Sequence, residues 1–307
     1  MNRKVPFTVI GGFLGAGKTS LINRLLREAD RRYAILVNDF GSLNIDQNLI
    51  EQHSGETIAL ANGCICCSLA AGFSRGLGQV LDRLDDFDHV VVEASGVANP
   101  QRIQDIAKVQ RQLISRGNLV VVDASQVMSQ VQDPYINELV FQQIAAADFL
   151  LLNKQSLLNR SEKQLLNHFL DQISDVPRQF SDWAELAVDQ VLELENNPKK
   201  LANPLQEVIE NHGLCSRVIT VSQPVDRAEF NRWRSCLSDD ILRAKGFVYF
   251  SDCAGTWLWQ KVGPQQQLDL CKETAHKHLR TEVLLISKRD IQWPEDSFSI
   301  GNVSDLA

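Results

Sequence analysis

Gly12-Phe13-Leu14-Gly15-Ala16-Gly17-Lys18-Thr19 decides how this chain folds. These residues satisfy the spacing G-x-x-x-x-G-K-[ST] at every fixed position. The apolar run Thr8–Ile10 precedes them and reads as a strand. Lys18–Ala29 follows and places Leu21, Ile22, Leu25 and Leu26 on one helical face. Strand, glycine loop and helix in that order are the context in which this spacing cradles a polyphosphate. Glycine lets backbone N–H groups turn inward where a side chain would block the approach. The helix N-terminus adds partial positive charge. Lys18 is placed to reach the β- and γ-phosphates of a nucleoside triphosphate, and the Thr19 hydroxyl to ligate Mg²⁺. Gly12, Gly15, Ala16, Gly17, Lys18, Thr19 and Ser20 form the expected nucleotide-binding set.

Outward from this loop, short Val/Ile/Leu runs recur: Ala34–Val37, His89–Val92, Asn118–Val122, Phe149–Leu152 and Arg217–Val221. They lack polar alternation, as strands buried on both faces do. Helix-period segments separate them: Ser74–Leu84, Arg102–Arg116 and Gln130–Ala147. Alternating strands and helices predict an α/β domain, a mainly parallel P-loop NTPase sheet with helices on both faces. After about residue 222 the pattern changes. A helix at Arg227–Leu237 is followed by strand-like runs at Lys245–Phe250, Thr256–Lys261, Gln265–Leu270 and Thr281–Ser287, which predict a smaller α+β domain. The expected domains are residues 1–222 and 223–307, the second ending in a short tail from Trp293.

Composition narrows the function classes. Among 307 residues, 44% are apolar and 22% charged, as in a folded globular chain and unlike a disordered one. Lys+Arg total 31 against 38 Asp+Glu, a net charge of −7, which argues against nucleic acid as a general partner. No apolar run reaches the roughly 20 residues of a membrane span, so no membrane partner is expected. The N-terminal residues lack the apolar stretch of a secretion signal. Seven cysteines are an odd count, and three crowd into Cys64–Cys67. That distribution speaks for a reducing, cytoplasmic setting with metal or thiol chemistry rather than a disulfide framework.

Other segments carry chemistry. Glu93 closes the run His89–Val92, where a doubly wound sheet binds ligands; its natural role is to hold Mg²⁺, through water. Gly96 would let backbone approach the γ-phosphate. Asn38-Asp39-Phe40-Gly41 closes another strand, and Asp39 is placed to orient an attacking water or contact the metal shell. Lys18, Asp39 and Glu93 are the expected catalytic set. Asn153-Lys154 follows Phe149–Leu152; the Asn amide would bond the ring edge of a base and the Lys stem pack on its face. In Asn62-Gly63-Cys64-Ile65-Cys66-Cys67, three thiols can surround one soft ion. Thiolates prefer Zn²⁺ or Cu⁺, and tetrahedral Zn²⁺ wants a fourth ligand, with Asp39, Glu51, His53 and water all available.

Taken in order, these motifs resemble the CobW-type metallochaperone GTPases, whose relatives assist urease and nickel hydrogenase assembly. The resemblance rests on Gly11–Thr19, Asn38–Gly41, Gly63–Cys67, Glu93–Pro100, Asp148–Lys154 and Arg243–Gly246, and runs to about residue 290. It implies slow GTP hydrolysis to GDP, coupled to binding and delivery of a transition metal, usually zinc or cobalt, to a client metalloprotein. It places the metal on Cys64, Cys66 and Cys67, and the phosphates and Mg²⁺ on Lys18, Thr19 and Glu93. By fold-level analogy the second domain would meet a client or a second copy of the chain in a homodimer. Between the first switch (38–46) and the second (93–96) lies the cysteine loop, so nucleotide state is expected to reshape the thiol site.

This chain departs from the family pattern at three places. Asp39 and Ser42 replace the acidic residues of Asn-Glu-Phe-Gly-Glu. A His-rich tract is missing. The base-reading motif Asn-Lys-x-Asp reads Asn153-Lys154-Gln155-Ser156, and a Ser hydroxyl cannot carry the charge that accepts two hydrogen bonds from guanine. Losing that carboxylate is expected to lower guanine preference by roughly ten- to hundred-fold. Two other functions stand beside this one: a small-molecule kinase on the same phosphate loop, and a non-enzymatic metal or redox sensor.

Overall fold

The computed structural model describes residues 4–28, 31–37, 56–59, 69–195, 214–253, 255–270 and 280–288. Two compact units emerge, Met1–His212 and Gly213–Ala307.

Among the described residues, the first unit forms a seven-stranded sheet. Its strands are β1 (Val5–Gly11), β2 (Tyr33–Val37), β3 (Glu56–Ala59), β4 (His89–Glu93), β5 (Leu113–Asp123), β6 (Phe149–Asn153) and β7 (Arg178–Phe180). They lie in the order β3-β2-β4-β1-β5-β6-β7, and every pairing is parallel. From β1 the chain runs outward one way to β2 and β3. It then returns beside β1 as β4 and crosses to β5 on the other side, so the direction reverses at β1, where such sheets bind ligands.

Why the strands lack polar alternation is visible in their packing. Tyr33, Ile35 and Val37 of β2 join Val91 of β4 in one apolar cluster. That cluster is closed by Leu21, Ile22 and Leu25 of α1 (Lys18–Glu28). Ala34 and Leu36 join Val90 and Val92 on the opposite face. There they meet Phe73, Leu77 and Val80 of α2 (Leu69–Leu81) and Ile103 and Ala107 of α3 (Pro100–Lys108). Both faces are covered, as expected of an α/β sheet.

Local boundaries differ from the sequence expectation. The helix expected over Arg102–Arg116 stops at Lys108, and Leu113 already belongs to β5. Two turn bonds, Gln110 N to Ala107 O and Leu113 N to Gln110 O, reverse the chain between them. The helix expected over Gln130–Ala147 is two, α4 (Val127–Gln130) and α5 (Asn137–Ala145). Pro134 cannot continue a helix, and Asp133 Oδ1 accepts from Tyr135 N (3.0 Å) in the turn that forms instead. β3, β7, α6 (Arg160–Ile173) and α7 (Val188–Leu192) lie outside the segments expected as strands or helices. For α6 a signal was present: Asn159 and Glu162 form a reciprocal capping box.

Arg217–Val221 was expected in the parallel sheet and is instead part of the second unit. There, β8 (Leu214–Val221) pairs antiparallel with β12 (Thr281–Lys288). The second unit therefore starts about ten residues earlier than residue 223. Its sheet, completed by β9 (Ile241–Tyr249), β10 (Thr256–Val262) and β11 (Gln265–Leu270), runs β11-β10-β9-β12-β8. One face carries α8 (Arg227–Ser235), whose Phe230 meets Trp259 edge-on at 5.3 Å.

Candidate nucleotide site

The loop between β1 and α1 is built by two close approaches. Gly12 has φ +133°, and a Cβ there would lie 2.1 Å from Val121 O. Gly17 has φ +112°, and a Cβ there would lie 2.4 Å from Asn153 Nδ2. Only glycine fits either place. Ala16 is buried, while Ser20 is exposed on the first turn of α1. That turn carries no acidic residue, so the positive end of the helix is open to an anion. Lys18 is buried and folds back over the loop, its Nζ donating to Gly12 O at 2.9 Å and Phe13 O at 3.2 Å.

Thr19 and Glu93 lie side by side. Thr19 Oγ1 donates to Glu93 Oε1 across 2.9 Å, and Glu93 is 4% exposed. Neighbouring ligands of an octahedral Mg²⁺, with bonds near 2.1 Å, stand about 3 Å apart. One hydroxyl and one carboxylate are hard oxygen donors at that separation, so the pair fits a Mg²⁺ completed by phosphate and water oxygens, with Glu93 as a direct ligand instead of the water-mediated one expected from the sequence.

Gly96 sits against the phosphate loop, where a Cβ would meet Leu14 Cδ2 at 2.4 Å. Its carbonyl accepts from Gln143 Nε2 at 3.1 Å, and Ala98 O accepts from the same nitrogen at 3.0 Å. Gln143, buried in α5, thus straps the segment that follows Glu93; sequence reading gave no signal for it.

Asn153 and Lys154 stand at the end of β6. Asn153 Nδ2 donates to Ala16 O, and Asn153 Oδ1 accepts from Ala184 N, each at 2.8 Å. One side chain therefore ties the phosphate loop to the segment after β7. A carboxamide has a second N–H and a second acceptor site, so these bonds leave capacity for a ring edge. Lys154 takes a left-handed φ of 63°, and its Nζ pairs with Asp123 Oδ2 at 2.5 Å. Asp123, buried at the end of β5, also accepts from Ser125 N and Ser125 Oγ at 3.0 and 2.6 Å. Like Glu93 it closes a buried strand, a signal that sequence reading did not use.

Asp39, Cys64, Cys66 and Cys67 lie outside the described residues, as do Glu51, His53 and Trp293–Ala307. Among the described residues no group of three or more His, Cys, Asp or Glu side chains is placed to hold a metal ion. No helix among them is long and apolar enough to cross a membrane. Cys215, Cys236 and Cys253 are free thiols.

Models of known protein families match both units of the chain. The family described as CobW/HypB/UreG, nucleotide-binding domain, matches residues 6–180. The cobalamin synthesis protein CobW C-terminal domain matches residues 214–295. The zinc chaperone CobW of a Sinorhizobium species is 34% identical over 187 residues, 52% of this chain and 53% of that protein. The zinc chaperone YjiA of Escherichia coli K12 is 28% identical over 313 residues, covering 95% of this chain and 96% of its own. A crystal structure of Zn(II)-bound YjiA GTPase aligns over 94% of this chain and 95% of that one, with 20% identity and a TM-score of 0.45. The chain spans about half the length of the first curated relatives it matches.

Proposed function

The chain belongs to the CobW/HypB/UreG family, and from that premise we propose that it is a GTP-hydrolysing metallochaperone. It binds a transition metal, zinc, through Cys64, Cys66 and Cys67 and couples transfer of that metal to its nucleotide state. Relatives named as zinc chaperones support the choice of metal.

One observation carries the coupling. Ala59 pairs with Val37, Val37 with Glu93, and Glu93 with Ile10, in a single row across β3, β2, β4 and β1. The segment holding Asp39 therefore begins, one residue after Val37, at the sheet edge that bears the phosphate loop. The segment holding the cysteines begins at that same edge, directly after Ala59.

Chemically, Lys18 exchanges its loop carbonyls for β- and γ-phosphate oxygens, and the open N-terminus of α1 takes the same charge. Thr19 and Glu93 would hold Mg²⁺, which supplies neutralisation of the charge that develops on the transferred phosphoryl group. Asn153 fixes the phosphate loop against the base side of the site. Asp39 would orient the attacking water. With no evident Gln-like water positioner or Arg finger in the sequence, turnover is slow and awaits a partner. The second unit would meet a client metalloprotein or a second copy of the chain, in the cytoplasm.

The test is release of phosphate from GTP with Mg²⁺ present. Slow release by the wild type that disappears in Lys18→Ala supports the function. A phosphorylated acceptor in place of free phosphate would make the chain a kinase, and binding without turnover would make it a sensor.

A further inference from the structure

Ser156 occupies the place of an expected carboxylate, and its backbone is held by a carboxylate from elsewhere. Ser156 N donates to Asp182 Oδ1 across 3.0 Å. We propose that Asp182 supplies the acceptor that position 156 lacks, and so selects guanine as the base. This inference rests on the nucleotide site assigned above and concerns only which base it takes.

Asp182 is fixed where it would be needed. The segment after β7 is tied to β6 by Ser181 N to Leu152 O (2.8 Å) and to the residue after Lys154 by Gln155 N to Ser181 O (3.0 Å). Its far side is held by Ala184 N on Asn153 Oδ1, and the turn is closed by Glu185 N on Asp182 O (3.0 Å). Asp182 thus belongs to the same bonded frame as Asn153, whose other contact is Ala16 of the phosphate loop. The frame holds three unusual backbone conformations, since Lys154, Trp183 and Ala184 have φ of 63°, 54° and 57°. A bulky residue with positive φ is strained and persists only where its surroundings enforce it. Trp183 gains no burial in return, being 85% exposed. What the strained turn does achieve is to seat Ala184 on Asn153 and the Asp182 carboxylate on Ser156.

The chemistry fits guanine. A carboxylate has about four acceptor sites, so one bond from Ser156 N leaves room for the N1–H and 2-amino group of guanine. Adenine has no hydrogen at N1 and would turn a lone pair toward the carboxylate. An unpaired, repelled base of that kind is how a site rejects the wrong ligand. The loss expected from Ser156 alone is in this way offset from a second segment.

The test compares the affinities of GDP, XDP (the xanthosine diphosphate) and ADP for the full chain and for Asp182→Asn. Asparagine keeps an oxygen for Ser156 N and so preserves the turn, but it presents an N–H donor to the base. XDP carries a carbonyl where GDP carries the 2-amino group. The expected result is wild-type preference for GDP, a ten- to hundred-fold loss of GDP affinity in Asp182→Asn, and a gain in XDP affinity of at least ten-fold. A merely structural role would weaken all three nucleotides alike. Tight GDP binding by the wild type with an unchanged GDP-to-XDP ratio in the variant would overturn the proposal and leave the nucleotide site standing. Failure of the wild type to bind any of the three would overturn the site itself.

Discussion

Thr19 Oγ1 and Glu93 Oε1 are joined by a 2.9 Å hydrogen bond between the first turn of α1 and the last residue of β4. The bond brings a hydroxyl and a carboxylate to the spacing of neighbouring Mg²⁺ ligands. Thr19→Ala is expected to weaken Mg²⁺-dependent binding of a GTP analogue by about ten- to hundred-fold, the worth of a charge-assisted contact. Binding measured in EDTA should change little. A fluorescent-analogue titration with and without Mg²⁺ checks this, and equal losses in both conditions would remove the metal role.

Asn153→Ala removes two bonds at once and strands Ala16 O and Ala184 N. Each unsatisfied buried group costs about 1–3 kcal/mol, so urea unfolding should show a destabilisation of about 2–6 kcal/mol. Asn153→Asp keeps an acceptor for Ala184 N and loses the donor to Ala16 O. It sets a carboxylate oxygen against that buried carbonyl, two acceptors face to face, and should cost at least as much as the alanine variant. A loss below about 0.5 kcal/mol in Asn153→Ala would show that the side chain does not join the two segments.

His89 gives the fold a pH dependence. Burial within β4 lowers its pKa to about 3, with Arg31 and Arg116 adding in the same direction. The ring stays neutral in the folded chain, hydrogen-bonded through Nε2 to Thr8 Oγ1 at 2.8 Å. Below its ordinary value near 6.5 the unfolded chain binds a proton that the folded chain does not. This contribution to stability is therefore complete above pH 6.5 and declines as the pH falls toward 3. Between pH 7.5 and 5 the wild type should lose about 2 kcal/mol more than His89→Gln, by urea unfolding at both pH values. An equal loss in the two proteins would contradict it.

Much of this was legible in the sequence for identifiable reasons. Gly12, Gly17, Lys18 and Thr19 are fixed by local geometry, and the strand–loop–helix context lies within thirty residues of the N-terminus. Glu93 was legible because a charge closing a buried strand needs an explanation. What sequence could not supply was partnership. Leu214–Val221 is apolar enough for either sheet, and only its pairing with Thr281–Lys288 places it in the second. The strand Arg178–Phe180 is too short to show a period. Asp182 lies 26 residues from Ser156, and nothing but the folded backbone brings them together. Pro134 marks the break between α4 and α5 in the sequence itself.

Nucleotide and metal should be felt by one another, because the segments after Val37 and Ala59 both start from the row that contains Glu93. The most direct measurement is a competition titration of zinc against a chelator, with the chain loaded with GDP or with a non-hydrolysable GTP analogue and Mg²⁺. A difference in zinc affinity of about ten-fold, equivalent to about 1.4 kcal/mol of coupling, is the expected result, and it should vanish in Cys66→Ala. Equal zinc affinities in the two nucleotide states would contradict the account.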